Sequence, residues 1–126
     1  MTKKALVIGG GPAGLMAAEQ LIKAGLSVTI AEAKPTLGRK FLMAGKSALN
    51  LTMDEPVSEF LPHYYDARTH LDPMIASFGP QEVKEWTEKL GQQIFVGTSG
   101  RVFPKVMKAS PLLRAGLHGC WMRVFA

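Results

Sequence analysis

Two short apolar runs flank an amphipathic segment near the start of the chain. Ala5–Ile8 is continuously apolar, and Leu26–Ile30 is a second run rich in β-branched residues. The first run predicts a strand that is buried on both faces of a parallel sheet. The second run predicts a second strand. Between them, apolar residues at helical spacing predict a helix from Pro12 to about Ala24, ended by Gly25. The pattern therefore predicts a strand–helix–strand unit with a right-handed crossover and a parallel strand pair.

The pattern after this unit is weaker. Residues 33–56 are punctuated by proline and glycine and are predicted to be irregular, with one helical turn over Arg39–Met43. The elements predicted beyond residue 56 are helical patches at Ser58–Leu61 and Pro73–Phe78, a helix at Pro80–Leu90, a hairpin of Ile94–Val96 and Arg101–Phe103, and a helix at Ser110–Leu117.

Glycines join the first strand to the first helix at G-x-G-x-x-G spacing. Gly9 suits the tight turn out of the strand, and Gly11 lets a pyrophosphate approach the backbone. Gly14 allows close packing of the helix on the strands, and Pro12 fits the first helical turn. A strand, glycine turn and helix in this order predict an α/β fold, a Rossmann-type βαβ parallel sheet that binds FAD or NAD(P).

An acidic residue ends the second strand. Glu32 stands 18 positions after Gly14, where a carboxylate can accept hydrogen bonds from the ribose hydroxyls of a dinucleotide. A carboxylate there disfavours a 2′-phosphate, so the pattern favours FAD or NAD over NADP. The alternative at this point is a glycine-rich turn that binds no ligand.

Two later segments have candidate phosphate chemistry. Gly38, Arg39 and Lys40 could neutralise a dinucleotide phosphate or lie over its adenine, and the alternative is an ordinary solvated basic loop. Gly45-Lys46-Ser47 is similar to the end of an ATP-binding P-loop. However, the leading glycine of that motif would fall at Lys40, so an ATPase is not predicted.

Composition excludes several other classes. The 126 residues carry a net charge of +5, with one cysteine, Cys120, and three histidines that have no metal-ligand spacing, so neither a disulfide framework nor a metal site is predicted. No apolar stretch could span a bilayer, and the cytoplasm is the expected location. Residues 101–126 contain five basic residues and no acid. They lack a nucleic-acid motif, and no nucleic-acid partner is expected.

Three segments together resemble a bacterial family of NAD(P)/FAD-dependent oxidoreductases related to aminoacetone-oxidase-like and bile-acid-inducible-N-like proteins. The segments read GGGPAGLMAAEQL, GRKFLMAGKSALNLT and GTSGRVFPKVMKASPLLRA. The resemblance covers roughly residues 3–116 and corresponds to the N-terminal third of the family. It implies flavin-dependent oxidoreduction with FAD as the cofactor, NAD(P)H as a candidate electron donor and a small-molecule substrate.

The resemblance also implies a set of cofactor contacts. The glycine turn would bind the pyrophosphate, Glu32 the adenosine ribose, and the cations after it the adenine end, while the segment Gly45 to Asn50 would lie towards the flavin. The expected cofactor-binding residues are Gly9, Gly11, Pro12, Ala13, Gly14, Glu32, Ala33, Lys34, Gly38, Arg39, Lys40, Gly45 and Asn50. No catalytic residue is assigned.

The chain departs from the family in length and at its end. Members of the family include a substrate-side domain and a late strand that completes the FAD site, so residues 1–126 are expected to form an incomplete N-terminal part of an FAD-binding domain. Residues 116–126 form an atypical tail, which suggests a truncated, frame-altered or fragmentary gene product. The alternative to an FAD-binding portion of an enzyme is therefore a non-catalytic remnant with weak or no dinucleotide binding. An incomplete sheet edge also makes self-association an expectation.

Overall fold

The computed structural model describes residues 1–119 and divides the chain into two compact units. One unit contains Met1–Lys46 and the segment that begins at Ala109, and the other contains Ser47–Lys108. Most of the atypical tail, including Cys120, lies outside the described residues.

The first unit contains the predicted strand–helix–strand motif. Its elements are β1 (Lys4–Ile8), α1 (Pro12–Lys23), β2 (Ser27–Ala31), α2 (Arg39–Ala44) and α6 (Ser110–Gly119). Strands β1 and β2 pair in parallel with Leu6 opposite Thr29. This pairing confirms the predicted α/β fold and the predicted parallel strand pair. The parallel pair brings the carboxyl ends of both strands to one edge, where the glycine turn leaves β1.

The core of this unit lies between α1 and one face of the strand pair. Leu15 and Ala18 of α1 and Val28 and Ile30 of β2 are all buried. Alternate residues of a strand point to opposite faces, so α1 covers only one side of the pair.

The prediction that β1 is buried on both faces is wrong. Leu6 is 63% exposed and Ile8 is 85% exposed. Among the described residues the sheet has only two strands, and α1 contacts both of them from one side. The apolar run therefore matches a strand whose second face has no cover in the described part of the chain.

Helices α2 and α6 pack together at the two glycines that flank α2, Gly38 and Gly45. A Cβ at Gly38 would lie 2.8 Å from Leu113, and a Cβ at Gly45 would lie 2.4 Å from the Cβ of Ala109. Gly38 also has a positive φ of 68°, which an L side chain rarely adopts. These glycines allow α6 to approach the segment that follows β2.

The second unit combines a small antiparallel sheet with helices. Its elements are β3 (Thr52–Met53), α3 (Val57–Phe60), a 3₁₀ segment (Leu61–Ala67), α4 (Arg68–Ser77), α5 (Pro80–Lys89), β4 (Ile94–Val96) and β5 (Arg101–Pro104). The strand order is β3-β5-β4, with both pairs antiparallel. The predicted hairpin of β4 and β5 is confirmed.

Helix α5 begins with a capping arrangement that its sequence encodes. The backbone N–H of Gly79 donates to Glu82 Oε2 at 2.9 Å, and Pro80 occupies the first turn. Helix α4, in contrast, begins five residues before Pro73, the residue at which the predicted patch starts. Leu61, Ile75, Thr87 and Val102 are buried in this unit and contribute to its core.

Candidate functional site

The glycine turn connects the carboxyl end of β1 to the start of α1. Gly9 has a φ of 101°, and its backbone N–H donates to the carbonyl of Ala31 at 2.8 Å. A Cβ at Gly14 would lie only 1.9 Å from the carbonyl oxygen of Gly9. Both glycines are therefore required by the backbone path, as their spacing predicts.

The first turn of α1 has backbone donors available to a ligand. Gly11 precedes the helix and provides no side-chain cap, and the N–H of Leu15 bonds the Gly11 carbonyl at 2.9 Å. By helix geometry the N–H groups of Ala13 and Gly14 have no intrahelical acceptor. A Cβ at Gly11 would meet no atom within 4 Å, so the space beside this backbone is open to an anion.

Glu32 is held against the glycine turn by backbone hydrogen bonds. Its Oε2 accepts from the N–H of Gly10 at 2.8 Å, and its Oε1 accepts from the N–H of Lys34 at 2.8 Å. These bonds, that from Lys34 first, lower the pKa of the Glu32 carboxyl below its ordinary value. The carboxylate is therefore ionised at neutral pH, and each oxygen retains capacity to accept a further hydrogen bond.

A cleft joins Glu32 to the cations that follow it. Its volume is about 320 Å³, and it is lined by Gly10, Gly11, Glu32, Lys34, Thr36, Arg39 and Lys40. Three cationic side chains and one carboxylate thus line the same cleft as Gly10 and Gly11, which directly precede α1. This arrangement suits a ligand that has both phosphate charges and free hydroxyl groups.

The structure brings together part of the predicted contact set. Gly11, Glu32, Lys34, Arg39 and Lys40 line one cleft. The remaining predicted residues of the glycine turn, Gly9 and Gly14, shape the backbone, while Pro12 and Ala13 form the first helical turn and Ala33 is exposed beside Glu32.

Other predicted contacts have different surroundings. Gly38 and Gly45 are buried at the packing of α2 and α6, so the structure gives both a packing role. Asn50 is exposed and belongs to the unit of residues 47–108. Contacts of these three residues with a cofactor remain predictions.

Sequence reasoning missed Gly10 as a site residue. Its backbone N–H binds Glu32, and a Cβ there would lie 2.3 Å from Leu37 and 3.2 Å from Glu32 Oε2. The three consecutive glycines were the available signal, because only two of them are explained by G-x-G-x-x-G spacing. Thr36, which also lines the cleft, had no distinguishing signal in the sequence.

Two further properties concern only residues 1–119. No group of three or more histidine, cysteine or acidic side chains there is placed to hold a metal ion. In the same part of the chain, none of the helices combines the length and the apolar character required to cross a membrane.

Three curated proteins share segments with this chain. The carotenoid phi-ring synthase of Chlorobaculum tepidum is 40% identical over 77 residues, which are 61% of this chain and 12% of that protein. The ribosomal RNA dihydrouridine synthase of Haemophilus influenzae is 40% identical over 65 residues, 52% of this chain and 16% of that protein. The lysine-specific histone demethylase 1 homolog 3 of Arabidopsis thaliana is 44% identical over 52 residues, 41% of this chain and 3% of that protein.

The shared segments are small parts of these proteins, so this chain spans less than a fifth of the length of each relative. The match to a family profile is more extensive. The HI0933-like protein Rossmann domain matches residues 3–123, which include the βαβ motif, the cleft and the whole second unit. By this match, the chain belongs to the family of the HI0933-like protein Rossmann domain.

Proposed function

We propose that the cleft beside α1 binds the adenosine diphosphate part of FAD, and that this chain is the FAD-binding portion of a flavin-dependent oxidoreductase. The observation that carries the proposal is the position of Glu32. Its carboxylate lies at the carboxyl end of β2 and is bonded to the N–H of Gly10 in the turn that would hold the phosphates. One anionic acceptor thus adjoins one anion-binding helix start.

The residues fit the adenosine diphosphate group in three respects. Gly11 leaves the helix start open, so a pyrophosphate can reach the N–H groups of the first turn. Glu32 has acceptor capacity for the ribose hydroxyls. Arg39 and Lys40 line the same cleft and offset the phosphate charge.

The choice of FAD over other dinucleotides rests on charge and on family. A 2′-phosphate would face the ionised Glu32 carboxylate, which disfavours NADP in this cleft. The resemblance to NAD(P)/FAD-dependent oxidoreductases favours FAD over NAD as the resident cofactor. Within that family, the aminoacetone-oxidase-like and bile-acid-inducible-N-like proteins are the subgroup that we propose.

The oxidoreductase activity is proposed for a whole flavoprotein, of which the described residues form the FAD-binding portion. FAD, when bound, supplies hydride chemistry, and this chain's residues bind and orient its adenosine end. We propose NAD(P)H as the electron donor, a small molecule as the substrate and the cytoplasm as the location. The relatives' names refer to a carotenoid, a histone and a ribosomal RNA, so they indicate no common substrate.

A competition experiment tests the cofactor proposal on the purified chain. FAD is titrated into the protein, binding is followed by flavin fluorescence, and ADP, FMN, NAD⁺ and NADP⁺ are added as competitors. We expect ADP to displace FAD and FMN to leave it bound, because the cleft recognises the adenosine end. We also expect NADP⁺ to compete less well than NAD⁺.

The alternative is a non-catalytic remnant with weak or no dinucleotide binding. It predicts a colourless protein whose melting temperature does not rise with FAD, since a ligand of the folded state must stabilise it. Displacement of FAD by FMN but not by ADP would instead contradict the assignment of this cleft to the adenosine end.

A further inference from the structure

The segment between β2 and α2 leads to two cations of the cleft but forms no helix or strand of its own. It runs from Glu32 to Gly38, and Arg39 and Lys40 follow as the first residues of α2. Gly10 is bonded to both ends of this segment. Its N–H donates to Glu32 Oε2 at 2.8 Å, and its carbonyl accepts from the Gly38 N–H at 2.7 Å. The position of the segment therefore depends on its two attachments to the glycine turn.

Helix α6 confines Gly38 from a second direction. A Cβ at Gly38 would lie 2.8 Å from both Cδ1 and Cδ2 of Leu113, so no side chain fits between the two residues. Leu113 itself is 6% exposed. Gly38 is thus bonded to the Gly10 carbonyl and packed against the Leu113 side chain, and these two contacts together set where α2 begins.

A second close contact joins α6 to the other end of α2. A Cβ at Gly45 would lie 2.4 Å from the Cβ of Ala109, which is buried. The Leu113 N–H donates to the Ala109 carbonyl at 3.0 Å, so the two contact residues are one helical turn apart. Helix α6 therefore contacts α2 both before its first residue and after its last, and a shift of α6 along α2 would break both contacts.

The residues of α6, Ser110–Gly119, are not among those that line the cleft in the described part of the chain. An effect of α6 on a ligand must therefore act through α2. The side chain of Arg39 has a weak contact, from Nη1 to the Thr36 hydroxyl at 3.4 Å. Such a contact does little to fix a guanidinium group, so its position depends on the backbone from which it extends.

We propose that Leu113 is a positioning residue of the cleft. By packing against Gly38 it keeps Arg39 and Lys40 close enough to the glycine turn for a single pyrophosphate to contact both. This inference rests on the proposed function of the cleft. Coupling between two sites is reciprocal, so a ligand bound between the turn and α2 also stabilises the packing of α6. Contacts that stabilise α6 accordingly raise the affinity of the cleft.

Amide hydrogen exchange of the free protein tests the contact without a ligand. Leu113→Ala should speed exchange of the Gly38 amide about tenfold relative to the Gly9 amide, because a buried Leu→Ala change removes more packing free energy than that factor requires. The Gly9 amide bonds the Ala31 carbonyl in the same unit. Global unfolding exposes both amides alike, so their ratio reports local opening at Gly38. Leu61→Ala is the matched control, since Leu61 is 5% exposed in the other unit, and it should leave the ratio unchanged.

Titration with ADP at several salt concentrations tests the effect on the ligand. Leu113→Ala should weaken ADP binding about tenfold, the loss typical of one hydrogen bond to a charged group. The dependence of the affinity on salt should also decrease, because the cations then contribute less. A variant that is merely less stable would keep the salt dependence of the wild type. Leu113→Met conserves volume and should bind ADP as the wild type does. Leu113→Val carries both measurements, with smaller effects, if Leu113→Ala does not fold.

A double-mutant cycle identifies the groups through which Leu113 acts. Arg39→Gln with Lys40→Gln removes the two cations themselves. Leu113→Ala added to this pair should weaken ADP binding by less than it does in the wild type, since residues that act through one another are not additive. Leu61→Ala should have the same small effect in both backgrounds.

Three results would overturn the proposal. The first is an unchanged ratio of Gly38 to Gly9 exchange in Leu113→Ala. The second is a raised ratio with the affinity and salt dependence of the wild type. The third is full additivity in the double-mutant cycle. Failure of the wild type to bind ADP would instead contradict the proposed function, and the exchange ratio of the free protein would still decide whether Leu113 fixes Gly38.

Discussion

The Glu32 carboxylate accepts a hydrogen bond from the Gly10 N–H at 2.8 Å, across 22 positions of sequence. This bond links the carboxyl end of β2 to the turn that leaves β1. It fixes the side chain beside the helix start before any ligand arrives, which reduces the ordering cost of binding. The relationship therefore makes Glu32 the residue whose substitution is most informative.

Glu32→Gln should weaken FAD binding by about tenfold or more, because a charged acceptor of hydrogen bonds is typically worth about 1.5–3 kcal/mol. The amide also places an NH₂ group where one of the two backbone donors, Gly10 or Lys34, now finds an oxygen. Binding is measured by titration of flavin fluorescence.

Glu59→Gln is the control for this change, since Glu59 is an exposed acid of the other unit. If Glu32→Gln binds FAD as the wild type does, the carboxylate is not a ribose ligand.

Gly11 and Gly14 should separate ligand binding from folding. A Cβ at Gly11 meets no atom within 4 Å, so Gly11→Ala should keep the melting temperature of the free protein and lose FAD affinity by occupying the phosphate space. A Cβ at Gly14 would overlap the Gly9 carbonyl, and Gly14→Ala should destabilise the fold by about 1–3 kcal/mol, the range for overpacking.

Thermal unfolding with and without FAD distinguishes the two variants. A Gly11→Ala protein whose melting temperature rises with FAD as much as the wild type's would contradict the phosphate role of the turn.

The pKa of Glu32 makes a prediction about acid stability. Because the folded state holds this pKa below its ordinary value of 4.5, the unfolded state binds more protons in the acid range. The contribution of Glu32 to stability is thus fully present above about pH 4.5 and is lost as the pH falls through the folded-state pKa.

Urea unfolding at a series of pH values measures this effect. Glu32→Gln should show a shallower decline of the midpoint below pH 4.5 than the wild type shows. Parallel declines in the two proteins would show that Glu32 does not contribute to the acid limb.

Local sequence signals account for much of the first unit. Helical periodicity, Pro12 and Gly25 predict α1, and the glycine spacing predicts the turn that the structure shows. These features depend on backbone preferences of neighbouring residues, which a sequence displays directly. The position of Glu32 at the end of β2 follows from the same pattern.

Features that depend on distant partners were not predictable in this way. Strand β3 has only two residues and is defined by the pairing of Thr52 with Val102. A segment this short has no hydrophobic periodicity from which it could be predicted. The bond from Gly10 to Glu32 requires a side-chain position set by tertiary structure. Likewise, an apolar run predicts a strand but does not say how many of its faces are covered.

The exposed face of β1 predicts self-association of the chain. Leu6 and Ile8 lie on the face of β1 away from α1, and β2 is the strand that pairs with β1 in the described chain. Exposed apolar strand residues beside an unpaired edge recruit other chains. Leu6→Thr with Ile8→Thr should therefore reduce concentration-dependent association in sedimentation measurements and change the melting temperature little.

Val28→Thr with Ile30→Thr, on the buried face of β2, is the matched pair and should destabilise the fold, because it buries hydroxyl groups in the core. Unchanged association in the Leu6 and Ile8 variant would show that this face does not mediate contacts between copies.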